Sequence, residues 1–196
     1  MHKTLLQRRQ LLLYFGLGVM GAGVTAAALQ SSRRSDTSIF LSSHSSNASA
    51  ANPLAALPEF QGISQWLNSA PLTAVDLKGS AVLVQFWTFA CINCQRTLPY
   101  VVRWHQQYAA QGLKVIGIHT PEFAFERDAN HVKNALRQHQ ISYPVPLDNG
   151  YKTWTAYGSK YWPHLFLADR QGFLDYDHVG EGAYQEIEQT IRKLLG

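Results

Sequence analysis

The chain has 196 residues, 46% of them apolar, enough for one well-cored domain and a remainder. Its net charge of +4 does not point to a nucleic-acid partner, because Lys3, Arg8, Arg9, Arg33 and Arg34 all stand in a front segment without a single acid. Beyond residue 34, 12 basic side chains face 13 acidic ones, and the two cysteines, both in one C-x-x-C, leave no disulfide framework to staple a fold.

The front segment has the parts of an export signal: a basic start, an uncharged stretch from Leu11 to Leu29, and Ala26-Ala27-Ala28 as a small-residue cleavage site. Arg8-Arg9 followed by Gln10-Leu11-Leu12 is similar to a twin-arginine signal, with Gln7 where Ser or Thr usually stands. The same 19 uncharged residues would also span a bilayer, although Arg33 and Arg34 beyond them oppose an anchor whose N-terminus stays inside. Residues 1–30 are therefore expected to be a signal peptide or a membrane anchor, with the domain outside the cytoplasm, and cleavage and anchoring are both left open. Residues 31–52 are rich in Ser, Ala and Asn and too poor in large apolar side chains to offset their ordering entropy. A flexible tether is expected over 31–57 and the folded domain over 58–196, beginning near Pro58.

Ala81-Val82-Leu83-Val84-Gln85-Phe86-Trp87 is an apolar run of strand length. Cys91-Ile92-Asn93-Cys94 follows it directly. Two cysteines three apart can close a disulfide with little rearrangement if the first opens a helix, and a helix N-terminus favours the nucleophilic thiolate. The pair reads as a redox centre. Half of a zinc site would need a second pair of ligands, and the chain holds neither a third cysteine nor an H-x-x-x-H spacing.

Residues 92–111 read as a helix with Val101, Trp104 or His105, and Tyr108 at helical spacing, kinked at Pro99 and closed by Gly112. Lys114 to Ile118 is a second short strand, buried on both faces. A helix from about Glu126 to Gln140 turns Val132 and Leu136 inward, and an extended piece at Val145-Pro146-Leu147 precedes a short helix around Tyr151, Trp154 and Tyr157. His164 to Ala168 and Phe173 to Val179 form a hairpin through Asp169-Arg170-Gln171-Gly172, and a last helix at about 183–195 carries Tyr184, Ile187, Ile191 and Leu194 on one face. This order gives a central mixed sheet with helices on both faces, an α/β sandwich.

At these residues the chain resembles the thioredoxin fold: Phe86-Trp87 before the C-x-x-C, Pro99 five residues after the second cysteine, and Trp162-Pro163 before the hairpin strand, where that fold keeps a cis-proline. The 72 residues from Cys91 to Pro163 fit the version with an inserted strand-helix unit found in exported TlpA- and ResA-like reductases. More closely, Phe86-Trp87-Thr88-Phe89-Ala90-Cys91-Ile92-Asn93-Cys94-Gln95-Arg96 and His119-Thr120-Pro121-Glu122-Phe123 are similar to the thioredoxin-like domain of DipZ-type proteins, over about residues 59–195. The resemblance implies a three-layer α/β/α sandwich, dithiol–disulfide exchange with protein thiols and disulfides in the reducing direction, and a membrane electron donor. It implies neither cofactor nor metal, and a monomer is expected.

Cys91, at the helix start, is the expected nucleophile, and Cys94, one turn later and shielded, the resolving thiol. A cis bond at Trp162-Pro163 would turn a backbone edge toward the dithiol for a substrate segment to pair with. Where thioredoxin keeps a buried Asp, two residues before its Trp, this chain has Gln85, which cannot take a proton; Glu122 is the nearest candidate to replace it. Trp87, Phe89 and Trp162 are candidates for an apolar rim that docks a partner, and Ile92 and Asn93 should tune Cys91. Two further functions stay open. A copper chaperone would use Cys91, Cys94 and either His119 or His164. A thiol peroxidase would follow from Thr88-x-x-Cys91, which resembles peroxiredoxins, although their proline seven residues before the cysteine is Val84 here.

Overall fold

The computed structural model describes residues 55–196; the expected signal or anchor, and the tether up to residue 54, lie outside them. In chain order the elements are β1 (Trp66–Leu67), β2 (Ala81–Trp87), α1 (Ile92–Tyr108), β3 (Leu113–His119), α2 (Ala129–Gln138), β4 (Val145–Pro146), α3 (Lys152–Ala156), β5 (His164–Ala168), β6 (Leu174–Val179) and α4 (Tyr184–Leu195). The main sheet runs β3-β2-β5-β6, with β2 parallel to β3 and antiparallel to β5, and β5 antiparallel to β6. It is a mixed sheet with helices on both faces, the thioredoxin-like α/β arrangement.

All seven residues of β2 are buried, as a central strand covered on both faces demands. Side chains alternate along it. Leu83 and Trp87 pack with Leu98 and Val101 of α1, Val132 of α2, and Ile187 and Ile191 of α4. Val82, Val84 and Phe86 face Leu57, Leu77 and the α3 residue Trp154 on the other side. Helix α1 runs on through Pro99 to Tyr108, and Gly112, with φ 103°, makes the left-handed turn into β3. At the far end of α1, Glu188 of α4 accepts from Tyr108 Oη (2.8 Å) and pairs with Arg103 (3.0 Å), joining the two helices.

Three features depart from the sequence reading. Helix α2 starts at Ala129 rather than Glu126, because the Asp128 carboxylate caps it by accepting from Asn130 N–H (2.8 Å), while Ala124–Arg127 form a separate 3₁₀ turn that buries Glu126. A small sheet of β1 and β4 was not foreseen. It docks on β3 where Gly117 N–H donates to Pro144 O (2.9 Å), and a Cβ at Gly117 would lie 2.6 Å from the Tyr143 ring. Ordered pairing also begins ahead of Pro58: Leu57 N–H donates to Gly172 O, and Ala55 O accepts from Leu174 N–H, both at 2.8 Å, so the residues before Pro58 line the hairpin's edge. Among the described residues no helix is long and apolar enough to cross a membrane.

Candidate redox centre

The sheet register gathers the site. Trp87 of β2 pairs with His119 of β3, and Phe86 pairs with His164 of β5. The turn after β2, the loop after β3 and Pro163 before β5 therefore meet at one end of the sheet. The Trp162-Pro163 peptide bond is cis, as its place before the hairpin strand predicted. The Trp162 indole donates to Thr120 O (3.0 Å) and packs on Trp154, so the proline loop is tied to the loop after β3.

Cys91 is the N-cap of α1. Its backbone is extended, and its Sγ accepts from Cys94 N–H at 3.2 Å. It is partly exposed, whereas Cys94 is wholly buried, and both are thiols here. The Cys94 thiol, donating to the Cys91 sulfur, is the main cause that lowers Cys91 to about 7; burial opposes it, the Cys94 and Asn93 amides assist it, and the Glu122 charge works against it. Cys94 is pushed far up, by burial first, then by its hydrogen bond to Cys91, with the Glu126 charge adding to both. Near neutral pH one sulfur is part thiolate and the other stays protonated. The site can therefore attack with Cys91 and resolve with Cys94.

Other predicted residues divide. Ile92 and Asn93 are exposed beside Cys91, and Phe89 and Trp162 are partly buried, so these four can meet a partner. Trp87 cannot. Its indole is wholly buried, donates to Gly117 O (3.1 Å) and meets His119 edge-on, because it ends a strand covered on both faces. Trp87 belongs to the core, which corrects its place in the expected rim.

Glu122 is exposed: its backbone N–H donates to Glu126 and its charge acts on Cys91, but its carboxylate is not the buried acid that Gln85 lacks. The carboxylate that is buried beside the site is a different one, Glu126, wholly enclosed. Its Oε1 accepts from the Thr88 hydroxyl and from Ala90 N–H (3.1 Å), and its Oε2 accepts from the N–H groups of Glu122 (2.6 Å) and Phe123 (2.8 Å). The sequence signal is a Glu three residues after the loop residue whose amide it caps, and it is masked because Phe123 is not a capping residue. Gln85 is buried on the α1 side of β2 and its amide makes no hydrogen bond among the described residues.

His119 is wholly buried, stacked on Phe89 at 5.6 Å, and burial lowers it to about 4, so it is neutral. His164 lies between Ser159 Oγ (3.2 Å) and Asp177 (3.0 Å). Among the described residues no three His, Cys, Asp or Glu side chains are grouped to hold a metal ion. Exposed Phe123 and Phe125 stack on each other at 5.7 Å, and Phe125 lies 5.8 Å from Phe89, an extension of the apolar rim that was not foreseen.

The sequence profile of the AhpC/TSA family matches residues 54–177. Protein DipZ of Mycobacterium tuberculosis is 44% identical over 158 residues, covering 79% of this chain but only 23% of DipZ, so the chain spans about a quarter of that relative. The thiol-disulfide oxidoreductase ResA of Bacillus thuringiensis is 29% identical over 119 residues, 61% of this chain and 66% of ResA. The solution structure of a thioredoxin-like protein in its oxidised form superposes with a TM-score of 0.67 at 25% identity, over 72% of this chain and 95% of that one.

Proposed function

The chain belongs to the AhpC/TSA family, in its thioredoxin-like branch with the thiol-disulfide oxidoreductases, and from that premise we propose that it is an exported protein-disulfide reductase working through Cys91 and Cys94. One observation carries the reading: a C-x-x-C whose first sulfur caps a helix, partly exposed and lowered to about 7, while the second is buried one turn behind and held protonated.

The Cys91 thiolate attacks one sulfur of a substrate disulfide, forming a mixed disulfide and releasing one substrate thiolate, which takes a proton from solvent. Cys94 then attacks the Cys91 sulfur. Its proton passes to the second substrate thiolate as that leaves, so the dithiol gives up two electrons and the substrate disulfide gains them. The reducing direction is supported by the modest lowering of Cys91. A thiol near about 7 is typical of a thioredoxin-type reductant, whereas a strong oxidant such as DsbA has one near about 3.5. Phe89, Ile92, Asn93 and Trp162 would contact the substrate, with the backbone before Pro163 beside it. Reoxidised chain would regain electrons from a membrane donor. Residues 1–30 would export the domain or hold it to the membrane, with the Ser/Ala-rich segment that follows as tether, and it would work as a monomer.

Cys94→Ser should trap substrates as mixed disulfides on Cys91, while Cys91→Ser should trap none; equal trapping by both, or none by either, would reverse the assignment. A redox titration of the full chain against glutathione, followed by thiol count, should place it below the glutathione poise. A value well above it would make the protein a disulfide donor. The peroxidase alternative is weakened by Thr88, whose hydroxyl is committed to Glu126. The copper alternative is weakened by His119, which is enclosed by Trp87 and Phe89.

A further inference from the structure

Glu126 has a place in the site that the exchange chemistry leaves unassigned. It is wholly buried behind the dithiol turn, and none of the ion pairs among the described residues includes it. Its four hydrogen bonds come in two pairs. Thr88 and Ala90 donate from the turn that carries Cys91, and Glu122 and Phe123 donate from the loop that carries the exposed Phe123 and Phe125. A carboxylate offers about four lone-pair positions. All are taken. Burial pushes Glu126 up, but the donors at Thr88, Phe123, Ala90 and Glu122 outweigh it and hold the group below the usual carboxylate range. A carboxylate filled in this way is a poor acceptor for the Cys94 proton, so Glu126 does not do the work of the acid absent at Gln85.

We infer that Glu126 is the positioning residue of the dithiol: it clamps the Thr88–Ala90 turn to the Glu122–Phe123 loop and stands as a fixed negative charge against the turn that carries Cys91, which disfavours the Cys91 thiolate and keeps the pair a strong electron donor. The inference rests on the oxidoreductase reading above. Its sign follows from the chemistry of the couple. Stabilised thiolates favour the reduced form and make a dithiol oxidising; a fixed anion destabilises them and keeps the potential low. Other groups around the site do not cancel it. His119 is neutral, the Glu122 charge acts on Cys91 in the same sense, the His131 Nδ1 is engaged with Phe125 O (3.1 Å), Arg127 donates to Asn149 O (3.0 Å), and Tyr151 Oη donates to Pro121 O.

The test uses the full chain as wild type, Glu126→Gln and Thr88→Val, each equilibrated with glutathione at about pH 8 and titrated for thiolate absorbance. Glu126→Gln should lower the Cys91 midpoint and shift the equilibrium toward the dithiol about tenfold, about 30 mV. Thr88→Val removes one donor and keeps the charge, so it should lose stability with the equilibrium changed less than about twofold. An unmoved equilibrium in Glu126→Gln, or an equal shift in both variants, would overturn the inference and leave a structural clamp only. If Glu126→Gln does not fold, a carbon-13 carboxyl titration of the wild type decides. Glu126 should stay ionised above about pH 5 in both redox states, and a proton bound near neutral pH in the dithiol state would overturn the inference. A wild type with no reversible transition would sink the oxidoreductase reading itself, whereas a reversible wild type with an unmoved Glu126→Gln sinks this inference alone.

Discussion

The loop after β3 and the loop after β4 each bury a carboxylate completely, Glu126 in the first and Asp148 in the second, yet they drive the two acids in opposite directions. Glu126 is lowered because four donors outweigh burial. Asp148 is raised: burial leads, its Oδ2 accepts from Trp154 N–H at 2.7 Å, and the amides that help it do not make up the cost. The difference lies in how far hydrogen bonds offset burial. Both oxygens of Glu126 accept, whereas Asp148 Oδ1 has no hydrogen-bond partner among the described residues.

Removing the anion site should break the contrast most strongly. Glu126→Leu leaves Thr88, Ala90, Glu122 and Phe123 without their acceptor, and urea unfolding at pH 7 should show a loss of about 4 kcal/mol. A loss below about 1 kcal/mol would mean that the four donors find other partners. Thr88→Val removes a single hydrogen bond to a charged group and should cost about 1.5–3 kcal/mol. The smallest effect is expected at Asp148→Asn, within about 1 kcal/mol at neutral pH, because an amide keeps an acceptor for Trp154 N–H.

The pH dependence sharpens the same contrast. Asp148 has a native value above its ordinary 3.8, so the folded state holds the proton longer, and stability falls as pH climbs from 3.8 through the raised value. Asp148→Asn should therefore gain on the wild type across that window. Glu126 has a native value below its ordinary 4.5; its contribution is complete above 4.5 and is lost as pH falls through the native value. Unfolding curves of wild type and Asp148→Asn at a series of pH values would show the gain, and a constant difference would put Asp148 outside the balance.

The legible parts of this molecule are those whose physics is local. β2 is an uninterrupted apolar run, Cys91 and Cys94 are separated by one helical turn, and Trp162-Pro163 sits against a hairpin with a Gly turn. The departure at Gln85 was also plain from the chain. What could not be read there depends on partners far apart in sequence. Glu126 meets Thr88 across 38 positions, and nothing in either neighbourhood announces the other. β1 and β4 are two residues each, too short to carry an alternation, and they sit against β3 where the Gly117 backbone lets Tyr143 approach. Trp87 was ambiguous because an aromatic residue next to a reactive pair suits a rim and a core equally; burial on both faces of β2 removes the first option.

The burial of Cys94 gives the protein a built-in gauge of its own opening. A membrane-permeant alkylating reagent added to reduced, folded chain can count one sulfur, because only Cys91 reaches solvent. The second sulfur enters the count when the first turn of α1 leaves the sheet, so the rate at which the count rises from one to two reports local unfolding at the dithiol end without any added probe.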